Sequence, residues 1–145
     1  MLKKIATIIL FYITIIGFVL SFLSHVFTFF PFNLEKHIPV YSILFWVLTS
    51  VFFPTAFLLN KLRRNNENSI VAKNGYKYYP ILTLPQSFQY TPVWMRVMCV
   101  VLIVYAIIDI FIGNTSIGGA YSGLMMFYFI FLTLNYSLIQ RYSRQ

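Results

Sequence analysis

A chain of 145 residues that is 59% hydrophobic and 10% charged, with a mean hydropathy of +0.76, falls outside the soluble range, in which about a quarter of residues carry charge. The net charge of +8 does not call for nucleic acid: in so apolar a chain, Lys and Arg belong in loops beside anionic lipid, and the bilayer is the expected partner. The single cysteine, Cys99, excludes an internal disulfide and any CxxC redox or zinc motif.

Met1 to Lys4 is a short basic start, and residues 5–30 then run without a charge. That length crosses a hydrocarbon core about 30 Å thick, and it exceeds the roughly 7 to 15 apolar residues of a signal peptide. Pro31 to Ile38 reads as a short turn. Pro39, whose missing N–H is harmless at a helix start, opens a second span over residues 39–60. A short loop between long helices makes them antiparallel neighbours. Pro54 lies inside the second helix and deprives the Ser50 carbonyl of its donor, which predicts a kink.

Residues 61–91 form the one long polar run. Lys61 to Ser69 reads as a charged helix end and a turn. Asn74 and Gly75 stand between two short apolar stretches and favour a two-residue type I′ turn, so a small hairpin over Ile70 to Tyr79 is expected. Pro80 to Thr91 reads as extended chain along the membrane surface. Thr91 and Pro92 look like the N-cap and first residue of a third span, residues 92–112, with Trp94 and Arg96 at the interface. After a tight turn, Asn114 to Gly119, a fourth span covers residues 120–140. The fold class expected is therefore all-α, a four-transmembrane-helix bundle of two antiparallel hairpins joined by a polar cytoplasmic segment, in one domain.

Ten of the eleven Lys and Arg residues fall on one side of this arrangement and only Lys36 on the other. That imbalance places both termini and the central segment in the cytoplasm.

Few polar side chains interrupt the spans. Asp109 is the only acidic residue within one, and such a carboxylate is a functional candidate because hydrocarbon does not solvate it. His25 reaches the same depth in the first helix, with Glu35, Lys36, His37 and Tyr121 at the same level. Two readings compete for this group: an interface network that holds the helix ends together, or a proton-linked or metal site. No HxxxH-like ligand spacing supports the metal. Asn135, in the last span, lies at the depth of Pro54, and Asn135, Ser50 or Thr55 is expected to satisfy the backbone that the proline frees. Gly119 and Gly123 form a GxxxG, read as a close helix contact within the molecule. There is no GxSxG, no HExxH, no phosphate-cradling glycine loop and no pair of carboxylates within a span, so no catalytic residue, metal or cofactor is assigned.

The stretches TPVWMR (Thr91 to Arg96), YAIID (Tyr105 to Asp109) and YSGLMMFY (Tyr121 to Tyr128) resemble a group of small, uncharacterised bacterial membrane proteins. In that group a Pro-x-Trp-Met helix entry is followed by Tyr-Ala and then Ser-Gly-x-x-Met. The group often has His-Trp at the positions of Leu124 and Met125, and Asn at that of Asp109. The resemblance covers the last third of the chain and implies a multi-pass protein of the bacterial inner membrane. Together these readings lead to a non-enzymatic accessory or interaction protein, such as a toxin-immunity protein, that contacts another membrane protein or its own copies. The alternative is an oligomeric small transporter or channel that uses Asp109.

Overall fold

In hydrocarbon every backbone N–H and C=O must find a partner inside the chain, and a helix achieves this segment by segment. The structure, a computed structural model, describes residues 1–29, 34–74, 91–113 and 116–144, with the backbone alone for residues 34–38, 66–74, 116–118 and 144. Its elements are helices: α1 Leu2–Phe27, α2 Leu34–Asn74, α3 Val93–Ile112 and α4 Ser116–Arg144. Each contains a stretch long and apolar enough to cross a membrane, namely Leu2–Phe27, Pro39–Asn65, Val93–Ile112 and Gly119–Ser143.

The second helix departs most from the sequence reading. It begins at Leu34 rather than Pro39 and continues to Asn74 rather than stopping near Asn60. At 1.5 Å per residue its 41 residues span about 60 Å, twice the hydrocarbon thickness. Ile70 to Asn74 are helical, so the first strand of the expected hairpin is not formed; Gly75 to Tyr79 lie outside the described residues. Lys61 to Asn74 contains no Gly or Pro, and extending an existing helix adds one hydrogen bond per residue, whereas an isolated two-stranded ribbon is marginal. Pro39 and Pro54 are both accommodated inside α2.

The start of α3 also differs. Pro92 is the N-cap, with no side-chain cap, and the Thr91 hydroxyl instead accepts a bond from Arg96 Nε at 3.0 Å while the Thr91 carbonyl accepts from Arg96 Nη2 at 2.9 Å. A charge-assisted guanidinium fork one turn into the helix outcompetes a backbone amide for that oxygen.

The last helix is the hub. It touches all three others, and α1 also touches α2. Some 56% of its spanning stretch is buried, against 28%, 17% and 22% for those of α1, α2 and α3. Towards α4 the first helix turns a stripe of small and hydroxylated residues, Thr7, Thr14, Gly17, Ser21 and Ser24, with Leu10 among them. The spacing alternates three and four, the period of a helix–helix seam. The hydroxyls of Thr7, Thr14 and Ser21 bond back to Lys3, Phe11 and Gly17 carbonyls of their own helix, at 2.7, 2.8 and 2.7 Å. Their contribution to the seam is therefore small size, which lets backbones approach, rather than interhelical bonding.

Gly17 is the narrowest point. A Cβ there would lie 2.1 Å from the Tyr128 ring, so the missing side chain is the space through which that ring passes. Beyond it, the Tyr128 hydroxyl donates to the Leu48 carbonyl of α2, and one heptad earlier Tyr121 donates to the Tyr41 carbonyl. Both pairs are 80 residues apart, so α2 and α4 run in the same direction in a constant register. The same offset sets Asn135 beside Thr55 and Tyr142 beside Leu62, and Leu62 and Tyr142 do flank one cluster with Leu10, Leu59 and Leu138.

On its other side α4 meets α3. Gly119 comes within reach of the Ile110 backbone, and a Cβ on it would sit 3.4 Å from Ile110 Cα. Cys99, Leu102, Met125 and Phe129 fill the middle of that seam. The GxxxG thus packs within the molecule, as its sequence suggested.

Candidate functional site

Among the described residues, two places stand out for buried polar groups that the sequence singled out. The first lies near the ends of α1 and α3. His25, 3% exposed, has its Nε2 2.5 Å from the Tyr105 hydroxyl of α3. Its ring stands edge-on to those of Phe29 and Tyr105, with centroids 5.0 and 5.4 Å away. The bond forms with either tautomer, because a phenol both donates and accepts. It ties α1 to α3.

Asp109 follows Tyr105 by four residues and so shares its helix face. The residue is half-buried. Its Oδ2 is buried and has no hydrogen-bond partner, while its backbone carbonyl accepts the Gly113 amide at 2.8 Å. A carboxylate oxygen out of water and without a donor is costly to bury. Tyr121, at the start of α4, packs in the same region against Tyr41 and Phe45, with ring centroids 6.0 Å away in each case.

The structure thus brings His25 and Asp109 to one end of the bundle, with Tyr105 between them. Glu35, Lys36 and His37 fall in the first turn of α2, and their side chains lie outside those described. Among the described residues no three His, Cys, Asp or Glu side chains converge on a point.

The second place is Asn135. Its side chain is fully buried, and neither Oδ1 nor Nδ2 has a partner; the buried Ser137 hydroxyl is likewise unpartnered. The Thr55 hydroxyl, buried opposite, donates to Val51 of its own helix at 2.8 Å. Neither Asn135 nor Thr55 therefore satisfies the Ser50 carbonyl as the sequence suggested. Ser50 itself faces outwards, on the side of α2 away from α4, and a short amide does not reach around the helix.

Between α2 and α3 the hub is left partly uncovered. An apolar groove of about 380 Å³ opens there, floored by Gly119, Ala120 and Gly123 and walled by Phe45, Phe53 and Ile110. Thr49 also lines it, but its hydroxyl is bonded to the Phe45 carbonyl at 2.8 Å, so it offers the groove little polarity.

Sequence reasoning placed Tyr121 at the level of His25 and Asp109 but passed over Tyr105 and Tyr128 as bonds between helices. Tyr105 reaches α1, and Tyr121 and Tyr128 both reach α2. Their signal was present, since Tyr121, Tyr128, Asn135 and Tyr142 recur every seven residues.

Four apolar helices gathered on a hub are the architecture of a multi-pass helical membrane protein. No protein-family model, curated protein or solved structure matches this chain.

Proposed function

We propose that this chain is a non-enzymatic membrane protein that acts by lateral contact with another membrane component, in the manner of an accessory or immunity protein. Most of its buried hydroxyls bond carbonyls of their own helix or, for Tyr128, of a neighbouring one. The carrying observation is the half-open groove over Gly119, Ala120 and Gly123, where small residues allow the apolar side chains of a neighbouring transmembrane segment to approach the hub. The four helices then cross as two antiparallel hairpins, in line with the contacts of Ile110 beside Gly119 and Cys99 beside Thr133. The excess of Lys and Arg on one side supports cytoplasmic termini and a bacterial inner-membrane location, as does the resemblance carried by Thr91 to Arg96 and Tyr121 to Tyr128.

A photo-crosslinking residue in place of Phe53 or Phe127, both on the groove and exposed, tests this. Capture of one defined membrane protein, lost when Gly123→Phe fills the floor, is expected. Capture of lipid or of the chain's own copies alone counts against it.

A second reading has one observation of its own. The open Oδ2 of Asp109 suits a cation or proton path in an oligomeric transporter or channel. There, Asp109→Asn abolishes a pH-dependent flux in proteoliposomes while expression holds; an unchanged flux excludes a proton role for Asp109.

A further inference from the structure

Lys61, Arg64 and Arg96 stand around one gap in the bundle. Phe53 of α2 and Ile110 of α3 both line the groove over Gly119 and Gly123, so the helix stripes through these two residues border the space between α2 and α3. On α2 the stripe continues through Phe57 to Lys61 and Arg64, at steps of about one, two and three turns from Phe53. On α3 it runs back from Ile110 through Ile103 and Val100 to Arg96, about four turns away. All these side chains are exposed.

The three cations share one end of this gap. The offset that pairs Leu48 with Tyr128 sets Lys61 opposite Arg141, near the end of α4. Cys99 lies beside Thr133 and α3 runs against α4, so the first turn of α3 comes to that end as well. The Arg96 guanidinium is turned further that way, onto Thr91. The stretches apolar enough to cross a membrane stop here, at Asn65 on α2 and at Val93 on α3. The cations therefore stand at headgroup depth with apolar walls beneath them. Of the chain's three carboxylates, Glu35 and Asp109 belong to the opposite end. Glu67, on the part of α2 past the span, has its side chain outside those described.

Positive charge at this depth fits phosphate, which a guanidinium binds through paired N–H groups. The walls choose between its sources: free phosphate or an acidic peptide meets the cations alone, whereas a phospholipid meets both the cations and the stripes of Phe57, Val100 and Ile103. We propose that this end of the α2–α3 gap binds an anionic phospholipid, with its phosphate among Lys61, Arg64 and Arg96 and its acyl chains along Phe57 and Val100. The groove over Gly119 and Gly123 lies at the other end of the gap and stays open to a neighbouring segment, so the lipid site holds with or without such a partner.

Quenching of a single tryptophan by brominated lipid reads the site in the full chain reconstituted in vesicles. Trp46 and Trp94, the two native tryptophans, are changed to Phe. A reporter is then placed by Phe57→Trp or, one turn from Lys4 on the exposed face of α1, by Ile8→Trp. The Phe57→Trp reporter is expected to prefer brominated phosphatidylglycerol at least threefold over brominated phosphatidylcholine. The Ile8→Trp reporter, next to cations of a single helix, is expected to show less than half that preference. Lys61→Gln with Arg64→Gln should bring the preference at Phe57→Trp to unity, and Arg96→Gln should at least halve it. Quenching by brominated phosphatidylcholine should stay the same throughout, which shows each variant folded in the bilayer. Equal preference at the two reporters would mean attraction to charge in general and overturns the site. So does a preference at Phe57→Trp that survives loss of Lys61 and Arg64, or one untouched by Arg96→Gln. A preference abolished by inorganic phosphate but not by chloride at equal ionic strength assigns the cations to a soluble anion and overturns the lipid.

Discussion

Reach separates the hydroxyl side chains of this bundle into two kinds. Thr7, Thr14, Ser21, Thr49, Thr55, Ser122 and Thr133 all bond carbonyls three or four residues back on their own helix. Their oxygens are bonded directly to Cβ and stay close to their own backbone, and of these only the Thr133 hydroxyl is also seen to meet another helix, at Cys99 Sγ. A tyrosine carries its hydroxyl across a ring and finds a neighbouring helix. Tyr128→Phe keeps the ring over Gly17 and loses only the bond to Leu48. It should cost about 0.6 kcal/mol, the average for interhelical hydrogen bonds in membranes, and no more than about 1.7, read as a lower denaturant midpoint in micelles. Asn135 belongs to neither kind, being too long to turn back and too short to cross. Asn135→Leu should accordingly stabilise the fold by about 1 to 3 kcal/mol, the penalty of a buried polar group without a partner, and an unchanged or lower midpoint contradicts this. The polar residues inside the spans stood out in the sequence because so few interrupt the apolar runs, and His25 and Asp109 do lie at one end of the bundle. What spacing alone did not reveal is that Tyr105 stands between them, since an aromatic with a polar tip reads first as an interfacial anchor.

At the scale of helices, Gly17 decides how closely α1 and α4 approach. Gly17→Leu would drive a side chain into the Tyr128 ring, which is fully buried and has no free direction in which to move. Overpacking of this kind costs about 1 to 3 kcal/mol, and the Leu48 bond is lost as well. The double variant Gly17→Leu with Tyr128→Ala should recover part of the loss by vacating the space, so a thermal-denaturation cycle over the four chains should give a non-additive result; strict additivity would show that the two residues do not meet. The positions of the four helices were legible because each apolar run exceeds the length needed to span. The end of α2 was not, because Asn74-Gly75 is a strong turn signal locally while continuation of a preformed helix is a property of the residues before it. Thr91 misled for a related reason: its identity suits a cap, but Arg96, five residues away, takes its oxygens.

For the molecule as a whole, the arrangement proposed above fixes which loops meet which compartment. A fluorescent protein that matures only in the cytoplasm should shine when fused after Ser143, and a periplasm-dependent phosphatase should be active when inserted at Asn114. The opposite pair of results would reverse the bundle in the membrane. The parallel course of α2 and α4, read from the constant 80-residue offset, agrees with alternating crossings.

Helix α4 is also the last of the four to leave the ribosome. Three helices therefore enter the bilayer before the element they gather on exists, and until it arrives the notch at Gly17 and the carbonyls of Tyr41 and Leu48 face lipid or one another. Insertion and assembly are thereby separated in time: α1, α2 and α3 precede the helix that gathers them, and the codons of α4 turn the four into one body.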